Sequence, residues 1–186
     1  MIKKHLHILF IISIVFCNYF NSSAQSQYWE KVNIPAGYSN NYWLDIYFLP
    51  TNKQLGWICG YNGKVIKTID GGANWTGYNV DLGKNPMLES IHFPSVSIGY
   101  ASGSQGIWKS QDGGATWAEI TPAAANNLWG CYFPTIDTGF VVGGGCGMAQ
   151  QFFKTTNGGI SWTVFTANAP NIGLCDLILE PGKDTG

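Results

Sequence analysis

Three short stretches carry the residue types from which a catalytic, metal-binding or phosphate-binding loop could be made. They are TIDGGANW (68–75), SQDGGATW (110–117) and TTNGGISW (155–162), sharing the pattern [Ser/Thr]-x-[Asp/Asn]-Gly-Gly-x-x-Trp. The positions are Thr68, Asp70, Gly72 and Trp75; Ser110, Asp112, Gly114 and Trp117; and Thr155, Asn157, Gly159 and Trp162. The third copy discriminates among the chemistries. Asn157 keeps a hydrogen-bond acceptor but loses the charge, a swap that a general acid–base or a metal ligand should not tolerate easily. Both side chains can accept N–H bonds from their own turn, the hydroxyl adds another acceptor, and glycine supplies positive φ. The pattern therefore reads as a structural turn clasp. No residue is assigned a catalytic, cofactor-binding or metal role, and no cofactor is expected.

The clasps start 42 and then 45 residues apart, and more than the turn repeats. Before each lies a run ending in Lys and a hydroxyl residue: KVIKT (64–68), IWKS (107–110), FFKT (152–155). Before that stands a Gly-bounded run, GWICG (56–60), GYASG (99–103) or GFVVG (139–143). Earlier still comes an apolar run closed by Pro, DIYFLP (45–50), SIHFP (90–94) or GCYFP (130–134). After each Trp a fourth run follows: WTGYNV (75–80), WAEIT (117–121), WTVFT (162–166). Four short strands per unit, separated by Gly, Asn, Asp and Pro turns and repeated at this period, predict β-propeller blades.

The expected fold is all-β, a propeller of four-stranded antiparallel blades in an incomplete ring. It comprises about three blades plus flanking strands, of about six to eight in the whole. The expected organisation is a secretory signal at 1–24 and a partial propeller at 25–186. Within it, a closing outer strand spans 28–34, blades span about 42–80, 87–121 and 127–166, and the next blade starts at 172–186. Trp29, 46 residues before Trp75, places the closing strand. Cys175–Pro181 repeats DIYFLP, with Asp176 at the place of Asp45 and Leu179 at that of Phe48. The chain reads as part of a longer protein, its remaining blades expected from a missing C-terminal part.

Charge and cysteines narrow the partners. Lys3 and Lys4 precede the apolar run Leu9–Phe16, which is too short to span a bilayer, and Ser22-Ser23-Ala24 supplies small residues for cleavage. The rival reading, a lipoprotein signal ending at Cys17, places bulky Val15 and Phe16 before the cysteine. No other membrane span is expected, and the destination is the periplasm, the cell surface or the medium. Without the signal, eight Lys stand against 11 acids and there is no Arg, which argues against nucleic acid as partner. Cys59, Cys131, Cys146 and Cys175 lack zinc spacing. A Cys131–Cys146 disulfide and buried free thiols both fit.

The three clasps resemble Asp-boxes, the repeat of sialidase-type (BNR-repeat) propellers. With the F-P…G-[Y/F]…G…K-[T/S] framework the chain is most similar to the photosystem II stability/assembly factor-like family, over nearly all of 28–186. The resemblance implies a box between the third and fourth strands and is unspecific for activity. A sialidase would need an arginine triad, and this chain has no Arg. The family's photosystem-binding surface is Arg-rich, so this chain looks more like a secreted or surface protein of a non-photosynthetic bacterium. The reading is therefore a non-enzymatic scaffold that binds a protein or glycan, with Tyr38, Tyr42 and Trp43 as contacts or blade packing. The alternative is an Asp-box glycoside hydrolase, with catalytic carboxylates largely outside this piece. Asp45 and Asp176, on first strands that face a propeller's channel, are the one pair to weigh for it. Ser90 and Gly130 at the same place argue for a tolerant turn position, and His92 reads as a strand residue.

Overall fold

The computed structural model describes residues 32–80, 83–144 and 150–165. Two compact units are distinguished, Met1–Val32 and Asn33–Gly186; the first contributes only Val32 to the described residues. Of the expected closing strand, residues 28–31 lie outside them and residues 32–34 form no strand; Trp29, Cys146, Cys175 and Asp176 also lie outside them.

The second unit holds three four-stranded antiparallel sheets, each built in sequence order. The first is β1 (Trp43–Phe48), β2 (Gly56–Gly60), β3 (Lys64–Thr68) and β4 (Thr76–Asn79). The second is β5 (Leu88–His92), β6 (Gly99–Gly103), β7 (Gly106–Ser110) and β8 (Ala118–Glu119). The third is β9 (Leu128–Tyr132), β10 (Gly139–Gly143), β11 (Gln151–Thr155) and β12 (Thr163–Phe165). These are propeller blades.

The first strands begin two residues before the runs read from sequence, because each starts with a bulge. Pairing skips a residue between Trp43 and Asp45, between Leu88 and Ser90, and between Leu128 and Gly130. The second glycine of each G-x-x-x-G strand makes room for it. A Cβ at Gly60, Gly103 or Gly143 would run into the carbonyl of Tyr42, Met87 or Asn127. That same carbonyl accepts an N–H bond of 3.0 Å from Tyr61, Ser104 or Gly144. The first glycine serves a ring instead, since a Cβ at Gly56, Gly99 or Gly139 would overlap Phe48, Phe93 or Phe133.

WAEIT shrinks to two strand residues for a local reason. Ile107 N–H donates to the Thr121 hydroxyl at 2.9 Å, so a side chain takes over where the ladder would continue.

The core lies between blades. Trp57 of β2 stacks on Phe93 after β5, with centroids 3.7 Å apart and planes 6° from parallel. Tyr100 of β6 stacks on Phe133 after β9 at 3.5 Å and 1°. The box indoles meet these phenyl rings edge-on: Trp117 on Phe93 at 83° and Trp162 on Phe133 at 87°. All four stacked rings are fully buried. Large flat rings at this one place repel water from the seam and fix the blade spacing.

Candidate functional site

The clasps are wired almost identically. In the first, the Thr68 hydroxyl donates to Asp70 Oδ1 at 2.8 Å and accepts the Gly72 N–H at 2.9 Å. Asp70 Oδ1 also accepts the Asn74 N–H, and Oδ2 accepts Asn74 Nδ2. In the second, Ser110 binds Asp112 and Gly114 in the same way, and Asp112 accepts from the Ala115 and Thr116 N–H groups and the Thr116 hydroxyl. In the third, Thr155 donates to Asn157 Oδ1, which accepts the Ser161 N–H at 2.9 Å, while Asn157 Nδ2 donates to the Ser161 hydroxyl. Donors of the turn occupy the acceptors that a substrate or cation would need. The Asn74 and Thr116 donors hold the Asp70 and Asp112 carboxyls down at about 2. Both glycines of every box have positive φ, from 66° to 98°.

The box indoles differ in one detail. Trp75 and Trp117 donate Nε1–H to Gly72 O and Gly114 O at 3.0 Å, within their own turns. Trp162 instead donates to Ile120 O of the preceding blade at 3.1 Å.

The second and third boxes are also receptors for the blade before them. Trp57 Nε1–H donates to Gly113 O at 2.9 Å, and Lys109 Nζ donates to Gly158 O at 2.9 Å. The lysines lie over the stacked rings, Lys67 over Trp57 and Lys109 over Tyr100 at 5.6 and 5.5 Å. Burial lowers the Lys67 pKa, against the opposing pull of Asp112. Sequence reasoning assigned these lysines no role. The available signal was the Lys before each box hydroxyl, at 67, 109 and 154.

The remaining candidates separate. Asp45 Oδ2 accepts the Ile91 N–H of the next blade at 2.8 Å, and Oδ1 accepts its neighbour Ile46 N–H at 2.8 Å. The carboxylate thus ties adjacent inner strands together. Ser90, at the same place one blade on, faces the Cys131 thiol at 3.6 Å. His92 sits in a row with Tyr47 and Tyr132 at 4.5 and 5.0 Å between centroids. Desolvation lowers its pKa to about 4, and its Nδ1 is buried with no partner among the described residues. Cys59 and Cys131 are buried free thiols whose pKa values burial raises, that of Cys131 to about 12. Such thiols are poor nucleophiles.

The GYSNNYW aromatics also part company. Tyr38 lies over Gly77 of β4 beneath Lys64, and Trp43 is half-buried in β1; Tyr42 alone of the three is well exposed, at 74%. Among the described residues, no cluster of three or more His, Cys, Asp and Glu could hold a metal, and no helix is long and apolar enough to cross a membrane.

The blade pattern finds its counterpart among known proteins. The family model for photosynthesis system II assembly factor YCF48 matches residues 21–122. The chain belongs to this family. A curated YCF48 relative, the photosystem II assembly lipoprotein of Synechococcus sp. (strain CC9902), is 33% identical over 75 residues, which are 38% of this chain and 22% of the relative. A solved YCF48 from Cyanidioschyzon merolae superposes with a TM-score of 0.59 at 25% identity, covering 73% of this chain and 39% of that one. A YCF48 bound to a D1 peptide gives 0.57 at 20% identity, over 67% and 40%. An ancestral GH74 enzyme gives 0.57 at 17% identity, over 77% and 20%, a likeness of fold alone. The chain thus spans 22% of its curated YCF48 relative and about two fifths of the YCF48 structures.

Proposed function

We propose that this chain forms part of an exported, non-enzymatic β-propeller scaffold that holds a protein partner. Membership of the YCF48 family carries the reading, and a YCF48 solved with a D1 peptide supports a protein segment as the ligand class. The chemistry of the clasps supports it too. Asp70, Asp112 and Asn157 spend their acceptors on their own turns, and Asp45 spends both oxygens on backbone N–H groups. The twelve box residues are accordingly proposed as structural. Residues 1–24 are proposed as a signal removed on export, leaving a chain with no Arg whose contacts to an acidic partner would rest on lysine.

A direct test titrates the purified protein with a fluorescently labelled D1 peptide and with a scrambled control, following polarisation. Saturable binding of the first alone is expected. Equal binding of both peptides, or release of reducing ends from xyloglucan during incubation with the protein, would defeat the proposal. N-terminal sequencing of the exported protein is expected to start at Gln25.

A further inference from the structure

Lys67 and Lys109 hold one position of the repeat, yet a difference in the neighbouring ring gives them unlike surroundings. Each ends beside the first glycine of the following box: a Cβ at Gly113 or Gly158 would come within 2.8 or 2.7 Å of the Lys67 or Lys109 Nζ. Lys109 donates to the Gly158 carbonyl at that point. The ring under it, Tyr100, leaves this carbonyl alone and donates its hydroxyl to Ile136 O at 2.7 Å. Under Lys67 the ring is Trp57, and its Nε1–H takes the Gly113 carbonyl itself. The Lys67 ammonium is left over the Trp57 face at 5.6 Å, with no hydrogen-bond acceptor among the described residues.

This amine also opens on a pocket of about 280 Å³, lined by Ile69, Asp70, Thr76 and Tyr78 beside it. Thr76 is its cross-strand partner on β4. Ile69 and Tyr78 offer apolar surface to whatever is attached to a reacting carbon. Asp70 in the pocket and Asp112 across the seam set two carboxylates against one ammonium, which disfavours an anionic reactant. Desolvation lowers the Lys67 pKa, so a larger share of it is free amine, the nucleophilic form.

We propose that Lys67 is a covalent capture site for small uncharged aldehydes, which it binds as an imine on Nζ. The free amine adds to the carbonyl carbon, and its two protons leave with the carbonyl oxygen as water. No oxidant or reductant takes part. The site stands apart from the proposed function, since it needs no protein partner.

The test incubates the full chain with benzaldehyde and sodium cyanoborohydride, which reduces each imine to a stable secondary amine, and peptide mass spectrometry then gives a rate for every lysine. Lys67 is expected to be modified first, ahead of exposed Lys53 and about tenfold faster than Lys109, the scale of one charge-assisted hydrogen bond. Exchanging the rings should exchange the behaviour. Trp57→Tyr frees the Gly113 carbonyl and should slow Lys67 about tenfold, while Tyr100→Trp should speed Lys109. An unchanged far-UV circular dichroism spectrum certifies the fold of each variant, and the ranking in the unmodified chain decides by itself if a variant does not fold. The proposal fails if Lys67 reacts no faster than Lys109 or lags behind Lys53. It fails equally if folded Trp57→Tyr leaves the Lys67 rate unchanged.

Discussion

Truncating the same phenylalanine in each blade measures what a neighbouring blade contributes. Phe48, Phe93 and Phe133 occupy one position of the repeat, and each meets its own box indole edge-on. Phe93 and Phe133 are also stacked on Trp57 and Tyr100 and fully buried, whereas Phe48 is half-buried with no ring stacked on it among the described residues. Phe93→Ala and Phe133→Ala should each cost about 3–5 kcal/mol, combining lost burial with a cavity. Phe48→Ala should cost about 2 kcal/mol less, since it lacks a stack worth about 0.5–1.5 kcal/mol and is less buried. The assay is equilibrium urea unfolding followed by indole fluorescence and by far-UV circular dichroism, coincident curves testing two-state behaviour. With a slope of about 2 kcal/mol/M, the two interior substitutions should lower the midpoint by about 2 M, and Phe48→Ala by about 1 M. Equal shifts for all three would refute the claim that the stability lies between blades.

The other predictions concern single groups. Asp112→Asn should be nearly neutral, as Asn157 shows the amide fits the turn, while Asp112→Ala should lower stability by about 1–3 kcal/mol in the same unfolding assay. Acid should act in two stages. The lowered pKa of His92 means that the unfolded chain binds the extra proton between pH 6.5 and about 4, so up to about 3 kcal/mol should be lost as pH falls through that window. Asp70 and Asp112, held at about 2, contribute stability above pH 3.8 that is lost below it, screened by their exposure. His92→Gln should remove the first stage in thermal melts between pH 7 and 4 and leave the second. Cys59 and Cys131 should resist iodoacetamide at pH 8 in the folded protein and react fully in urea, as read by peptide mass spectrometry.

The box turns and the first glycine of each second strand were legible in the sequence because each rests on interactions within about ten residues. A hydroxyl two residues before an Asx, with glycines after it, can satisfy itself whatever surrounds it. The inner-strand boundaries were less legible. The bulge depends on a carbonyl from the residue before the strand pressing against Gly60, Gly103 or Gly143, a contact across two strands. The role of Asp45 was illegible for a related reason. Its partner is the Ile91 N–H, 46 residues away in the next blade.

By itself, then, the sequence determined the repeat: its period, the four strands in each unit and the clasp that closes the last hairpin. Only the tertiary structure decided what the clasps are joined to. That Trp57 reaches Gly113 and Lys109 reaches Gly158 follows from how one blade lies against the next. Local propensity sets a hairpin, but the angle and register between two sheets emerge only when their rings, glycines and lysines are packed together.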